Sequence, residues 1–372
     1  MQNDPFEIFL TAPPGLESTL AEEVAALDLG PADTVPGGVT IRGGWAQVWQ
    51  ANHALRGATR VLMRLGGFRV FHLAQLDKRS RKFPWADVLR PDVPLKIETT
   101  SRKSKVYHAR AATDRIARAI TEELGAPVAD DAPLRLMARI EDDYVTFSLD
   151  TSGEPLHKRG HKQAVGKAPM RESLAALFLR QCGYDGREPV LDPMCGSGTF
   201  PIEAAEIAAG LRPGRSRSFA YKLLAGYDAA ARDAALAALP VPIAMPELLF
   251  HGSDRDAGAV TSALANAERA GVAGQTRFVQ TSVGDLVRPE GPPGLVMVNP
   301  PYGGRIGNKK LLFALHGTLG ARLKDQFSGW RVGIITNEPQ LAHATGLPFV
   351  PSGPPIPHGG LKVKLYRTDP LP

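Results

Sequence analysis

Hydrophobic and polar residues alternate along the first 55 positions with the periods of short strands and helices. Phe6–Leu10 and Val39–Arg42 have strand-like patterns, and Glu17–Leu27 carries apolar residues at helical spacing. A glycine and proline turn separates the first strand from that helix. The pattern predicts a small α+β unit.

The same style continues through residues 56–155. Val61–Val70, Leu95–Thr99 and Val145–Leu149 are predicted strands, and Thr113–Leu124 is a predicted amphipathic helix. These elements extend the α+β architecture of the first 55 residues.

From Pro189 onward, short apolar runs alternate with helical segments, and residues 210–247 form a predicted insertion. This alternation predicts a mostly parallel, doubly wound α/β sheet that binds ligands at the carboxyl ends of its strands. The predicted strands are Val190–Leu191, Leu248–Phe250, Thr276–Val279, Leu295–Val298 and Val332–Ile335. The predicted helices are Ile202–Leu211, Ala257–Ala270 and Lys310–Phe327.

Composition narrows the class of protein. The chain has 372 residues, of which 43% are hydrophobic, and it has no run of about 18 apolar residues. The first residues carry acid rather than base, so we expect neither a secretory signal nor a membrane partner. Cys182 and Cys195 are too few for a disulfide framework or a cysteine-rich zinc site. We therefore expect a cytoplasmic protein without a metal.

The net charge of +6 is unevenly distributed. Residues 56–118 contain sixteen basic and five acidic residues, a net charge of +11, whereas residues 1–55 have a net charge of −6. Phe83, Trp85 and Tyr107 lie among the basic residues, a mixture that favours RNA over a membrane surface. The alternative is a solvated basic face whose aromatic residues belong to the core.

A glycine loop at Asp192–Thr199 follows the first predicted strand of the α/β region. Glycines in such a loop let the backbone approach a ligand closely. Pro201 stands where a dinucleotide fingerprint would have its third glycine, and Asp192 precedes the loop. Both features argue against a dehydrogenase.

A second motif, Asn299-Pro300-Pro301-Tyr302, directly follows the apolar run Leu295–Val298. The Asn299 side-chain oxygen and the Pro300 carbonyl would accept the two hydrogens of a planar amine, and the Tyr302 ring would stack on the base. These contacts direct the nitrogen lone pair towards an electrophile. The motif therefore predicts a site for an exocyclic amine.

Together the two motifs resemble motifs I and IV of class I S-adenosylmethionine methyltransferases that act on exocyclic amines. The resemblance extends to the THUMP-domain RNA guanine-N2 methyltransferases of the bacterial RlmL-like group. It covers essentially the whole chain and is most specific from about residue 154. The further segments that carry it are Glu154–His161, Ala168–Ala175, His251–Asp256, Tyr302–Arg305 and the basic segment Ser101–His108.

The resemblance implies three domains. Residues 1–58 would form a ferredoxin-like domain, residues 59–155 a THUMP domain that holds RNA, and residues 156–372 a Rossmann-like methyltransferase domain. The cofactor would be S-adenosylmethionine, and we expect a monomer. The implied RNA-binding residues are Arg102, Lys103, Lys105, Tyr107, His108 and Arg110.

The resemblance also implies which residues surround the cofactor. Asp254 would bind the ribose hydroxyls, and an acid would bind the adenine. Relatives place an aspartate where this chain has Ser282, so Asp285, the nearest acid, is the candidate. The remaining candidates for cofactor binding are Asp192, Met194, Cys195, Gly196, Gly198, Thr199 and Asn299, and the predicted catalytic residues are Asn299, Pro300 and Tyr302.

Four other candidates have an ordinary interpretation beside the functional one. We interpret Cys195 as a packing residue, since the motif supplies no base for it. His157 and His161 fit a basic segment better than a zinc site. Glu203 fits a structural role as well as a ligand contact.

The function that this implies is transfer of a methyl group to guanine N2 in RNA, with 23S rRNA slightly preferred over tRNA. An adenine-N6 methyltransferase stays open, since the Asn299–Tyr302 motif serves both amines. A third alternative, from another class, is a non-catalytic RNA-binding factor that keeps the Rossmann-like scaffold.

Overall fold

The structure, a computed structural model, describes residues 5–163, 170–241, 247–301 and 309–372. Its strands are β1 (Phe6–Thr11), β2 (Ala32–Val35), β3 (Gly38–Gly43), β4 (Arg60–Arg69), β5 (Leu95–Arg102), β6 (Leu134–Glu141), β7 (Tyr144–Asp150), β8 (Val190–Asp192), β9 (Phe250–Asp254), β10 (Thr276–Gln280), β11 (Leu295–Val298), β12 (Arg331–Thr336), β13 (Ile356–His358) and β14 (Leu361–Arg367). Its helices are α1 (Glu17–Ala26), α2 (Trp45–Ala54), α3 (Leu73–Arg81), α4 (Ala109–Leu124), α5 (Glu172–Gln181), α6 (Thr199–Ala208), α7 (Ala229–Ala237), α8 (Ala257–Ala270), α9 (Lys309–Gln326) and α10 (Pro339–Ala344).

The chain divides into two compact units. The N-terminal unit comprises Met1–Ala12, Ala21–Leu156 and Arg217–Leu239. The C-terminal unit comprises Pro13–Leu20, His157–Ser216 and Pro240–Pro372. Most of the predicted insertion at 210–247 therefore belongs to the N-terminal unit.

The N-terminal unit is built on one seven-stranded sheet in the order β2-β3-β1-β4-β7-β6-β5. Ile8 and Leu10 on β1 point into the core with Val39 and Ile41 on β3, and all four are almost fully buried. The residues that alternate with them, such as Glu7, lie on the other face of the sheet and are more accessible. β4, which begins just after the predicted boundary between residues 58 and 59, pairs with both β1 and β7, so one sheet contains strands of both predicted domains. The separation into domains at this position stays a prediction.

Residues 217–239 belong to the N-terminal unit and contact side chains of α2. The Gln50 side-chain amide donates to the Ala235 carbonyl at 2.9 Å. His53 on α2 hydrogen-bonds the Tyr221 hydroxyl at 2.9 Å. The Trp45 ring lies against Gly226, where a Cβ atom would come within 2.8 Å of the indole.

The C-terminal unit has a second seven-stranded sheet, in the order β10-β9-β8-β11-β12-β14-β13. The first five strands are parallel, and β14 runs antiparallel to β12. The predicted mostly parallel, doubly wound sheet is confirmed. Strand order reverses between β8 and β11, which is where such sheets open a crevice for ligands.

The core of the C-terminal unit fixes the strands that end in this crevice. Val296 and Val298 on β11 pack with Leu319 and Leu323 on α9 and with Trp330. All are fully buried. All residues of β8 and β11 are buried, and all but Asp192 are apolar, as is typical of parallel strands covered on both faces.

Among the described residues, no helix is long and apolar enough to cross a membrane. The same part of the chain contains no group of three or more His, Cys, Asp or Glu side chains that could hold a metal ion.

Candidate active site

Three polar side chains meet at the carboxyl ends of adjacent parallel strands. Asp192 ends β8, Asp254 ends β9 and Asn299 directly follows β11. In register, Asp192 pairs with Gly252 and Val296 pairs with Leu191, so the three strand ends lie side by side. They open onto a cavity of about 620 Å³. It is lined by Met170, Asp192, Pro193, Met194, Cys195, Gly196, Ser197, Thr199, Phe200, Asp254, Arg255, Asp256, Thr281, Ser282, Val283, Gly284, Asn299, Pro301, Leu315 and Thr318.

The glycine loop takes its shape from two left-handed glycines. Gly196 has φ +50° and Gly198 has φ +83°. A Cβ atom on Gly198 would lie 3.0 Å from both Ala263 and Phe278, whereas one on Gly196 would meet no atom within 4 Å. Gly198 therefore allows close packing of the loop, and Gly196 leaves open space beside the cavity.

Two carboxylates hold the loop in this shape. Asp254 Oδ2 accepts a hydrogen bond from the Gly196 N–H at 3.0 Å. Asp192 Oδ1 accepts one from the Met194 N–H at 3.0 Å. The loop thus presents its backbone to the cavity without help from a ligand.

Asp192 is almost fully buried, and this changes its chemistry. Burial raises the pKa of its carboxyl to about 8, and the nearby negative charge of Asp254 adds to the effect, while the hydrogen bond from Met194 opposes it. A neutral carboxyl is favoured because no cation neutralises it among the described residues around it. A positively charged group of a ligand would favour the ionised form.

Cys195 also lines the cavity, with its thiol largely buried. Burial raises the pKa of this thiol well above its usual range, and Asp192 and Asp254 raise it further. Nucleophilic catalysis needs a thiolate. The environment therefore supports interpreting Cys195 as a packing residue.

Asn299 provides a polar atom that lacks a partner. Its Oδ1 atom is buried and has no hydrogen-bond partner among the described residues. A buried acceptor without a partner is unfavourable by about 1–3 kcal/mol. Pro300, also predicted to be catalytic, is buried beside it, and Pro301 lines the cavity. Tyr302, the third predicted catalytic residue, lies outside the described residues, as do Ala168, Pro169 and Arg305.

The two candidates for adenine binding differ in position. Ser282 lines the cavity, and Asp285 is exposed and not among the lining residues. The Ser282 hydroxyl donates to Asp285 Oδ2 at 2.7 Å. Asp285 therefore reaches the cavity wall through Ser282, and which of the two contacts adenine stays a prediction.

A buried ionic cluster supports the wall near α6. Arg159 pairs with Glu203 at 3.2 Å, and both side chains are 1% exposed. The Lys162 ammonium donates to the Thr199 hydroxyl at 2.9 Å and to the Met170 carbonyl at 2.7 Å. Thr199 and Met170 line the cavity, so Lys162 orders the wall from behind. Glu203 faces Arg159, which supports its structural interpretation.

The two histidines of the preceding segment are held neutral. Burial, together with nearby cations, lowers the pKa of His157 to about 4. Burial also lowers the pKa of His161, whose Nε2 lies 3.7 Å from Glu206. Neither histidine belongs to a metal-holding group among the described residues.

Sequence reasoning did not identify several cavity residues. Met170, Phe200, Leu315 and Thr318 line the cavity, and Lys162 supports it. Leu315 and Thr318 are three residues apart on α9 and so lie on one face of it. Their helical spacing after the Asn299 motif was a sequence pattern that pointed to this face. Lys162 had no local signal, because its partners are remote in sequence.

The basic segment of the N-terminal unit is gathered at the end of β5 and the start of α4. Arg102 ends β5, Lys103 adopts φ +50°, and His108 and Arg110 flank the first residue of α4. The Lys105 N–H donates to Asp143 at 2.8 Å. Tyr107 is 70% exposed, whereas Trp85 is 2% exposed and belongs to the core. Basic side chains, an exposed ring and a helix N-terminus therefore share one surface, which suits phosphate groups.

Comparison with known proteins places this site in a family. Residues 159–348, just over half of the chain, match the family model described as "RMKL-like, methyltransferase domain". The chain belongs to this family. Residues 7–62 match a second model, the RlmL ferredoxin-like domain. The family match includes the glycine loop and the Asn299 motif, so the cavity lies in a methyltransferase domain.

One curated relative of this RMKL-like methyltransferase is named Ribosomal RNA large subunit methyltransferase K/L, from Chromohalobacter salexigens. The two are 31% identical over 366 residues, covering 93% of this chain and 50% of the relative. The chain thus spans about half the length of the curated relatives it matches.

Two solved structures resemble the whole chain. A predicted N6-adenine-specific DNA methylase from Listeria monocytogenes is 29% identical with a TM-score of 0.84, covering 98% of this chain and 96% of that one. SMU.472, solved in complex with SAH, is 25% identical with a TM-score of 0.87, covering 100% and 99%. The class I methyltransferase fold predicted for the C-terminal part is confirmed.

Proposed function

We propose that this RMKL-like methyltransferase transfers a methyl group from S-adenosylmethionine to the exocyclic N2 of a guanine in RNA, within 23S rRNA. The methyltransferase family, the SAH in a structural relative and the rRNA named for a curated relative support this proposal. Such an enzyme would work in the cytoplasm, where ribosomes are assembled.

The unpartnered oxygen of Asn299 is the observation that carries the proposal. It lies at the wall of the cavity that the glycine loop and Asp254 also line. An amine donating a hydrogen to this oxygen would satisfy it and would be held with its lone pair directed into the cavity. Only a group that donates a hydrogen can form this bond, so the bond would orient the amine in the site.

The residues present fit the proposed cofactor. A cavity of about 620 Å³ is in the range of small-ligand sites. Asp254 would accept hydrogen bonds from ribose hydroxyls, because within the described part of the chain each of its oxygens accepts one bond, from Gly196 or Asp256, and has capacity for another. Asp192, beside the glycine loop, would ionise next to the positively charged amino-acid part. When bound, the cofactor supplies a methyl group on a positively charged sulfur.

The protein's part in the reaction is binding and orientation. With the cofactor bound, the methyl carbon would pass from sulfur, which would keep the electron pair of the broken bond, to the amine nitrogen, and the nitrogen's proton would pass to solvent. Asn299 and the Pro300 carbonyl would hold the amine in line for this displacement. The base must leave its stack first, at a cost of a few kcal/mol that RNA contacts in the predicted THUMP domain would offset.

Adenine N6 is a second candidate acceptor. A structural relative that covers the whole chain is named as an adenine-specific DNA methylase. The basic segment from Arg102 to Arg110 and the rRNA named for a curated relative favour RNA over DNA. The resemblance to guanine-N2 methyltransferases favours guanine over adenine. A non-catalytic RNA-binding role is disfavoured by the cavity and by the unsatisfied Asn299 oxygen. Calorimetric titration with S-adenosylmethionine tests that role directly.

Nucleoside mapping by mass spectrometry tests the proposed reaction. We expect cells that lack the protein to lose N2-methylguanosine at one position of 23S rRNA, and expression of the protein to restore it. Loss of the same nucleoside from tRNA would replace the proposed substrate. Loss of N6-methyladenosine would replace the proposed base.

A further inference from the structure

The accessible face of the N-terminal sheet contains a groove that the proposed function does not use. It encloses about 600 Å³ and crosses four neighbouring strands, β1, β4, β7 and β6. We call it the sheet groove. The residues that matter for its chemistry are Glu7, Arg64, Gly66, Arg139, Tyr144 and Thr146.

Glycines in β4 create the floor of the sheet groove. The pairing of β4 with β7 shifts at a bulge between Arg64 and Gly66, and Gly66 adopts φ +106°. A Cβ atom there would meet nothing within 4 Å, so the space above Gly66 is open. At Gly67 a Cβ atom would lie 2.9 Å from the Tyr144 ring. The ring therefore lies over a bare backbone.

Tyr144 presents the ring that this floor supports. Tyr144 is 42% exposed, which is unusual for a large aromatic residue in a strand. In register it lies between Arg69 on β4 and Glu141 on β6. A ring with a supported side and an accessible side is suited to stacking on a planar base.

Basic side chains flank the ring. The Arg139 side chain is 57% exposed and pairs with Glu141 at 2.5 Å. Arg64 is more enclosed, pairs with Glu7 at 3.2 Å, and stacks on the Phe9 ring at 4.5 Å. Arg64 is therefore the less accessible of the two cations. Arg139, although paired with Glu141, and Arg69 are exposed at the surface, where a phosphate can approach them.

Strand register links the sheet groove to the basic segment. Arg102 on β5 pairs in register with Glu141 on β6, and Glu141 pairs with Tyr144 on β7. A single row across the sheet therefore runs from Arg102 to Arg69 through the Tyr144 ring. The hairpin between β6 and β7 also contacts the basic segment, since Asp143 accepts the Lys105 N–H at 2.8 Å.

We infer that the sheet groove binds an unpaired stretch of the substrate RNA, with one base stacked on Tyr144 and the adjoining phosphates beside Arg139 and Arg69. The inference rests on the proposed RNA substrate and adds a path for that RNA. Sheets that present an aromatic ring are a known solution for single-stranded RNA, because every base has a face to stack. A duplex would gain nothing from Tyr144, since its bases are already stacked.

Fluorescence anisotropy with two labelled probes tests this path, a 12-nucleotide single-stranded RNA and a 12-base-pair RNA duplex. We expect Tyr144→Ala to weaken single-strand binding about tenfold, the size of one base stack, and to leave duplex binding unchanged. Tyr144→Phe keeps the ring and should retain wild-type affinity. Equal binding by the alanine and phenylalanine variants, or equal losses for both probes, would overturn the inference.

A charge pair and a cross-link provide independent measurements. Arg139→Glu should weaken single-strand binding more than Arg187→Glu, an equal charge change at a side chain that is 87% exposed in the C-terminal unit. Photo-cross-linking of 4-thiouridine RNA should label peptides that contain Tyr144. Cross-links confined to the basic segment would overturn the sheet groove and leave the proposed RNA substrate standing. Absence of RNA binding by the wild type would overturn both.

Discussion

The carboxylate of Asp254 accepts a hydrogen bond from the backbone N–H of Gly196 at 3.0 Å, joining residues 58 positions apart. The bond ties the end of β9 to the glycine loop after β8. The other carboxylate oxygen of Asp254 accepts a hydrogen bond at 3.0 Å from the N–H of Asp256, just before α8. One side chain thus links the glycine loop to the start of the following helix, and both border the cavity.

The two glycines of the loop should differ in their tolerance of alanine. Gly198→Ala adds left-handed strain and contacts at 3.0 Å, and we expect it to lower the free energy of unfolding by about 2–3 kcal/mol. Gly196→Ala adds strain alone, and the expected loss is about 1 kcal/mol. Urea unfolding of the two variants measures the difference. Equal losses would show that contacts around Gly198 relax freely.

Asn299→Ala should abolish methyl transfer while preserving cofactor affinity. Removing a group that orients the reacting amine lowers kcat by at least about 100-fold, by analogy with loss of one hydrogen-bonding group in other active sites. Single-turnover transfer and calorimetry with S-adenosylmethionine measure the two effects. Asn337→Ala is the matched control, since the Asn337 side-chain oxygen is also buried and lacks a partner in the described part of the chain, but Asn337 does not line the cavity. Full turnover by Asn299→Ala would remove its amine-holding role.

The raised pKa of Asp192, about 8, predicts how stability depends on pH. Between its unfolded value near 4 and about 8, the folded protein holds a proton that the unfolded chain has released. Stability contributed by this group therefore falls as pH rises through that interval, by at most about 1.4 kcal/mol per pH unit. The side chain of the Asp192→Asn variant stays neutral. Its free energy of unfolding should therefore rise relative to that of the wild type from pH 5 to pH 8.

Urea unfolding at four pH values, without cofactor, measures this difference. A constant offset between wild type and Asp192→Asn would show that the Asp192 carboxyl is ionised throughout the interval.

Neutralising the basic segment should change RNA binding and its dependence on salt. Replacing Arg102, Lys103 and Lys105 by glutamine should weaken binding and lower the slope of log K against log salt by about 2, since each phosphate contact contributes about 0.7–0.9. A filter-binding series across salt concentrations measures the slope. Arg187, Arg277 and Lys362, exposed residues of the C-terminal unit, serve as a matched triple control. An unchanged slope would remove the basic segment from the RNA interface.

Elements with strong local patterns were predictable from the sequence. The helix predicted at Ala257–Ala270 has those bounds in the structure, because Asp256 caps its first turn and Gly271 ends it in a left-handed conformation. Leu295–Val298 is likewise a strand with the predicted bounds, since four apolar residues before Asn-Pro-Pro leave little choice. These two elements position much of the candidate site.

Other boundaries depend on tertiary context. The strand predicted at Leu248–Phe250 begins at Phe250 and continues to Asp254, through polar residues that a parallel sheet buries. Gly252 occurs there because a Cβ atom would lie 2.5 Å from the Phe278 ring. The helix predicted to start at Ile202 starts at Thr199, because a proline in the first turn, Pro201, interrupts no hydrogen bond.

β6 has a hydrophobic pattern typical of a strand, although no strand was predicted there. It alternates buried Leu134, Leu136, Ala138 and Ile140 with more accessible residues. The grouping of residues 217–239 with the N-terminal unit had no such pattern. It depends on contacts such as Gln50 with Ala235, which are 185 positions apart.

The return of Arg217–Leu239 to the N-terminal unit also decides how this protein can be recombined with its relatives. A hybrid that exchanges only one continuous N-terminal stretch would leave His53 facing a foreign residue in place of Tyr221. It would also place Trp45 against an unmatched loop. The N-terminal unit is therefore encoded by three separated stretches of the gene, so an exchange with a relative has to include Arg217–Leu239 to keep these contacts.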